Sequence, residues 1–220
     1  MIKGVLKIAA AAGACLAMSG CVMTINTVKP DMTAYQADSD AFPPLSTSNH
    51  SYFIRNVTDE RVFERYSSDF SQPTWVEDEA RKPLAFARQR NGGENAMGAI
   101  ILPEDLPPVV VMRQVITRAL LDTGRKVVTD EKNIGAETKI VDVAIKQFWT
   151  WGEIRFFHCH FTGEIETDIS VDGARPVIYR GKFHKSAGGQ SDATWKLMIE
   201  GAMRNYYENM TETLRKHPEL

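Results

Sequence analysis

The sequence predicts an α+β fold: an antiparallel meander sheet covered on one face by two amphipathic helices. Three observations predict it. Segments between residues 138 and 185 alternate apolar and polar residues with the period of a half-buried strand. Residues 107–123 and 191–216 carry apolar residues at helical spacing. A strand face that is apolar on one side needs a cover, and two amphipathic helices supply it. With 220 residues, 43% of them hydrophobic, the chain suits one domain with extensions.

Residues 1–20 read as a lipoprotein signal peptide. Lys3 and Lys7 give a positive start, and Ile8 to Met18 form a mostly apolar run. That run is shorter than the ~20 residues a membrane-spanning helix needs, and it ends in small residues. Met18-Ser19-Gly20-Cys21 has the pattern of a lipobox, with Met where Leu is usual. Cys21 is therefore expected to become the first mature residue and to carry the lipid. More than one acyl chain there gives stable anchoring. By resemblance to enterobacterial lipoproteins, Val22 in place of Asp implies the outer membrane, on its periplasmic face.

Residues 21–49, with Pro30, Pro43 and Pro44 among polar residues, read as a flexible tether, and Phe42 and Leu45 are its best candidates for contact with the domain. A single domain is expected over 50–217. Tyr52-Phe53-Ile54-Arg55-Asn56-Val57 predicts its first strand. Residues 66–105 mix Ser, Pro, Gly and charge, which predicts an irregular excursion with one short helix near 76–90.

Pro107-Pro108 opens a helix to about residue 123, since Pro suits a first helical turn, and Gly124 stops it. Arg125 to Thr129 predicts a short strand. Strands follow over about 138–149, with Val141, Val143 and Ile145 on one face, and about 154–171. In the second, Phe157, Cys159, Phe161, Ile165, Ile169 and Val171 oppose His158, His160, Thr162, Glu164, Glu166 and Asp168. Gly163 suggests a bulge or bend there. Asp172-Gly173 predicts a hairpin into a strand over about 176–185, with Val177, Tyr179 and Phe183 inward. Ser191 is the expected N-cap of the last helix, and Gly201 within it suggests close packing on the sheet.

Charge and cysteines bound the function. The chain has 26 basic and 28 acidic residues; Lys3 and Lys7 leave with the signal, so 24 and 28 remain and the formal charge is −4. That argues against nucleic acid and against a polybasic membrane face. Cys15 leaves with the signal and Cys21 carries lipid, so Cys159 has no intrachain disulfide partner.

The order of elements, with Arg55-Asn56-Val57-Thr58-Asp59-Glu60-Arg61, Leu120-Leu121-Asp122-Thr123-Gly124 and Val143-Ala144-Ile145-Lys146-Gln147-Phe148-Trp149, resembles small bacterial lipoproteins of the YajG type over roughly residues 50–215. It is more distantly similar to auxiliary lipoproteins of envelope ABC transport systems. The resemblance implies a compartment and an architecture. It implies no catalytic residue.

His158-Cys159-His160 is the one pattern suggestive of a metal. Two histidines on one strand face stand about 7 Å apart, but a site needs a third ligand, so His158 and His160 are weak candidates. Glu164, Glu166 and Asp168 read as a solvated strand face. No fingerprint for a phosphate, a dinucleotide or a nucleophilic serine occurs, and no cofactor is expected. Phe148, Trp149, Trp151 and Phe156 crowd what reads as a hairpin turn. They are either core packing beneath it or an exposed contact for a protein partner or lipid headgroup. The expected function is that of a non-enzymatic, lipid-anchored envelope lipoprotein, a binding or accessory component of a transport or assembly system with an envelope protein partner. The alternatives are an envelope enzyme and a small-molecule or lipid carrier using a cleft between sheet and helices.

Overall fold

The structure, a computed structural model, describes residues 24–36, 50–91, 96–155 and 158–217, apart from the side chains of 154, 155 and 158. Among the described residues, eight strands form one mixed sheet: β1 (Thr24–Thr27), β2 (Ser51–Asp59), β3 (Ala85–Arg90), β4 (Ala96–Ile101), β5 (Lys126–Val127), β6 (Thr138–Arg155), β7 (His158–Val171) and β8 (Val177–Ala187). Two α-helices, α1 (Pro108–Asp122) and α2 (Asp192–Lys216), pack on it.

The spine is β6, 18 residues long. One flank pairs along its length with β7, and β7 pairs with β8, both antiparallel. This is the meander that the alternation predicts. Asp172 and Gly173 close the β7–β8 turn in left-handed backbone, φ 52° and 72°, as Asp-Gly at a tight hairpin favours. The other flank of β6 is shared. Its first half pairs in parallel with β2, and β2 with β5. Its second half meets β3 in parallel at Ala87 and Thr150, and β3 continues antiparallel to β4, then β4 parallel to β1.

The sheet is thus mixed, not a purely antiparallel meander. The chain leaves β2, passes through α1 and returns to β6 in the same direction, and such a crossover forces parallel pairing. Two other expectations also change. The excursion at 66–105 is not irregular throughout: it holds a 3-10 helix at Glu79–Leu84 and then β3 and β4, inside the sheet. Nor is all of 21–49 a tether. Residues 24–27 are β1, and Val28, Met32 and Tyr35 are buried in the main core, so the folded unit reaches back before residue 50. Phe42 and Leu45 lie outside the described residues.

Both helices cover one face of the sheet. Val111, Met112, Val115, Ile116, Ala119 and Leu120 of α1, and Trp195, Ile199, Ala202, Met203, Tyr206 and Met210 of α2, join Val141, Val143, Ile145, Phe161, Ile165 and Ile169 in one core. Three glycines let α2 come close. A Cβ at Gly181 of β8 would stand 2.3 Å from the Tyr206 nitrogen; one at Gly163 of β7, 2.6 Å from the Met198 oxygen; one at Gly201, 2.3 Å from the Phe183 ring. Gly163 therefore marks an approaching helix, not a bulge; the β6 irregularity lies between Ile145 and Gln147.

The opposite face is covered too. Residues 61–84 lie over its second half, and Trp75, Ala85, Ala99, Ile101, Trp149 and Trp151 form a smaller core with Phe63 and Phe70 against it. Arg61 fastens this cover. Its buried guanidinium pairs with Asp59 at 2.7 Å and donates to the Pro83, Ala85 and Phe148 carbonyls. A second buried arginine, Arg88, pairs with Glu77. Buried charges persist only when paired and hydrogen-bonded in this way.

Candidate functional site

At the end of the molecule where β2, β6 and β8 begin, sheet and helices part to leave an apolar cleft. Its enclosed space is small, about 30 Å³. The sheet contributes Tyr52, Val141, Ile169, Val171, Val177 and Tyr179; Ile116 and Leu120 of α1 and Met210 and Leu214 of α2 close the opposite side. Apart from a thioether, the only polar side-chain atoms in this set are two tyrosine hydroxyls.

The surroundings of the cleft come from how the helices end. Gly124, at φ 78°, terminates α1; its N–H donates to the Leu121 carbonyl and that of Arg125 to Leu120, the two bonds of a Schellman stop. This turn sends the Arg125 side chain inward. Its guanidinium donates at 3.0 Å each to the Leu214 and His217 carbonyls at the end of α2 and to the Thr123 hydroxyl. A cation there satisfies the helix's last carbonyls and opposes its dipole. The Arg125 guanidinium and the Lys139 ammonium each stand 5.8 Å from the Tyr52 ring centroid. Burial pushes the Tyr179 hydroxyl above its ordinary pKa, against the pull of Arg125. The result is a carbon-lined cleft with two cations beside it. It suits an aliphatic chain better than a polar substrate.

The residues singled out from sequence lie elsewhere. Cys21 and Phe156 are outside the described residues. Phe148, Trp149 and Trp151 sit within β6 rather than in a hairpin turn, and they are only 0%, 1% and 8% exposed. Phe148 faces the helix side, while the two tryptophans face the core under residues 61–84. Trp149 donates its indole N–H to the Phe70 carbonyl at 3.3 Å. An exposed aromatic contact at these three positions is thus overturned: long strands covered on both faces bury aromatics on both.

The His160 ring is exposed, with its Nδ1 3.0 Å from the Ser186 hydroxyl. Among the described residues, no three His, Cys, Asp or Glu side chains gather as a metal would need; the His158 side chain is not among them. Cys159 is buried in the main core. Glu164, Glu166 and Asp168 form a ladder of surface ion pairs, with Lys182 at 2.9 Å, with Arg180, and with Lys146 at 3.9 Å. A cleft between sheet and helices was among the alternatives from sequence, but none of its lining residues was singled out. Its apolar residues follow the same periodicity as any core position, so nothing in the sequence set them apart.

No protein-family model matches the chain, and no curated protein does. Among solved structures it is similar to protein XCC0632 from Xanthomonas campestris, described as belonging to family model DUF330, at 13% identity over 89% of this chain and 97% of that one, with a TM-score of 0.47. A second, described only as an uncharacterized protein, is 11% identical over 76% of this chain and 98% of its own, with a TM-score of 0.34. Neither carries the YajG name, and likeness at this level says nothing about what this chain does.

Proposed function

We propose that this is a lipid-anchored envelope protein of the YajG-like type, held through Cys21 at the periplasmic face of the outer membrane. It acts by binding, as an accessory component of a transport or assembly system. The observation that supports binding is the cleft: ten residues from sheet and both helices converge on a concave surface made almost wholly of carbon. Two tyrosine hydroxyls are the only titratable groups in this lining, and the rest of it desolvates the end of an alkyl chain or an aliphatic side chain. Lipid attachment accounts for membrane association without a spanning helix; among the described residues no helix is long and apolar enough to cross a bilayer.

A photo-crosslinking amino acid at Leu120, introduced into the full chain in intact cells, tests the binding half. The expected result is a discrete adduct, with lipid or protein, that a second photo-crosslinker at exposed Lys146, on the opposite face of the sheet, does not give. Equal labelling at Leu120 and Lys146 sinks the cleft as a binding site. Cys21→Ser tests the anchor: the variant should leave the membrane fraction, and a variant that stays there removes the lipid from the account.

A further inference from the structure

The sheet ties the N-terminus to one particular end of the molecule. β1 starts at Thr24, so only Val22 and Met23 separate Cys21 from a residue registered in the sheet. Three backbone steps reach at most about 11 Å. Thr24 pairs with Gly98, Gly98 pairs with Gln89, and Ala87 two residues earlier is level with Thr150, which puts Thr24 near the height of Gly152 on β6. Val141, in the cleft, lies far down the same strand. At ~3.3 Å per residue the two heights are about 35 Å apart.

We propose that the protein stands end-on upon its membrane. The end that carries Thr24, Met97 and residues 186–191 faces the lipid headgroups, and the cleft sits at the opposite end, away from the bilayer. This rests on the reading of Cys21 as the lipidated residue. The short reach from Cys21 leaves little freedom for any other orientation, because β1 is not a loose leader. Its backbone pairs with β4 through all four residues, Asn26 donates to Asp192 of α2 at 3.3 Å, and Val28 is buried just beyond it. The surface at that end is compatible with headgroups. Met97, beside the partner of Thr24, is 56% exposed, and Thr24, Ser186, Gly188, Gly189 and Ser191, at the same end, are small and exposed. Lipid, not charge, holds this end down, in keeping with the chain's acidic balance.

Headgroup quenching tests the orientation on the full lipidated chain. A fluorophore is attached at Met97→Cys or, at the far turn, Ala174→Cys; the native Cys159 is buried. Each protein is reconstituted into phosphatidylethanolamine–phosphatidylglycerol vesicles containing a headgroup-nitroxide lipid. The expected result is quenching several-fold stronger at position 97 than at 174. Equal quenching overturns the proposal. A flexible Gly/Ser insert of about 20 residues between Met23 and Thr24, with an r.m.s. reach of about 25 Å, should abolish the difference while the protein stays on the vesicles. A difference that survives the insert means that the surface, not the short tether, sets the orientation, and it overturns the argument from reach. A label at 97 that is unquenched in protein-free vesicles but shielded in native membranes assigns this end to a protein partner instead, and also overturns it. A wild-type chain that fails to load onto vesicles, or Cys21→Ser that loads equally well, is a failure of the anchor reading and is distinguished in this way from a failure of the orientation.

Discussion

Single side chains do two kinds of work here. The buried arginines Arg61, Arg88 and Arg125 each bind carbonyls or carboxylates from separate segments, so they act as polar rivets between elements. Arg61 alone joins β2, the start of β3 and the middle of β6. The planar, multiply donating guanidinium suits this better than an ammonium. The buried tyrosines make the fold sensitive to base. Desolvation pushes Tyr35 up to about 12, and it does the same to Tyr207, whose hydroxyl also donates to Asp122. Burial raises Tyr206 and Tyr179 as well; Tyr206 shares a 2.6 Å hydrogen bond with Thr167. A group whose folded pKa is raised stabilises the fold fully below its unfolded pKa, near 10 for tyrosine, and that contribution fades as pH climbs toward the folded value. Stability should therefore fall between about pH 10 and pH 12, with the denaturation midpoint dropping in step. A midpoint that holds flat across that window contradicts the burial of these rings. On the acid side, the hydrogen bond from Arg55 holds the Asp142 carboxyl below its usual range, so that stabilisation is present at neutral pH and is lost as pH falls through the depressed value.

Among the elements, α2 shows how closely local chemistry and packing agree. Ser191 caps it, its side chain accepting from the Thr194 N–H at 3.2 Å, as serine before an apolar-periodic run predicts. Its apolar stripe then lies on β7 and β8, where Gly163 and Gly181 leave room for its backbone. Gly181→Ala should push α2 off the sheet, because the new Cβ meets helix backbone that cannot swing aside. The expected cost is about 1–3 kcal/mol, seen as a lower thermal midpoint with no loss of helix signal at low temperature. An unchanged midpoint means that the helix sits further from β8 than described. Helix ends, caps and the Asp-Gly turn were all legible in the sequence because each is a local event, set by residues within a few positions. Strand pairing was not. β3 and β4 lack a clean alternation, since their faces are apolar on both sides, and Ala85, Phe86 and Ala87 are consecutive buried residues.

For the molecule as a whole, the N-terminal segment counts as part of the fold. Val28, Met32 and Tyr35 are buried in the main core, and Tyr35 meets Tyr207 of α2 edge to face, centroids 5.8 Å apart. Starting the chain at residue 37 removes these contacts and leaves β4 as an exposed edge. At roughly 1.5–3 kcal/mol for each fully buried side chain, the truncated protein should lose several kcal/mol. Urea unfolding of chains beginning at residues 22 and 37 measures this directly; a tether would be removable with no shift in midpoint. The same coupling of β1 to the sheet places Thr24 and the cleft at opposite ends. In the end-on orientation proposed above, whatever enters the cleft arrives from the side away from the membrane.

Periodicity, capping and turn residues determine most of the elements: both helices and the three strands of the β6–β8 meander could be written down from the chain alone, because helix and strand periods are printed in every few residues, but the β6–β7 turn was expected at 148–152 and lies beyond Arg155. The expectation of a lipobox around Cys21 rests on a pattern of the same local kind. Which strands lie side by side, that β1 belongs to them, that the aromatics of β6 are covered, and that a cleft opens beside Arg125 all depend on residues far apart in sequence. Those outcomes follow from the competition to bury apolar surface across the whole chain, and no short window of sequence contains it.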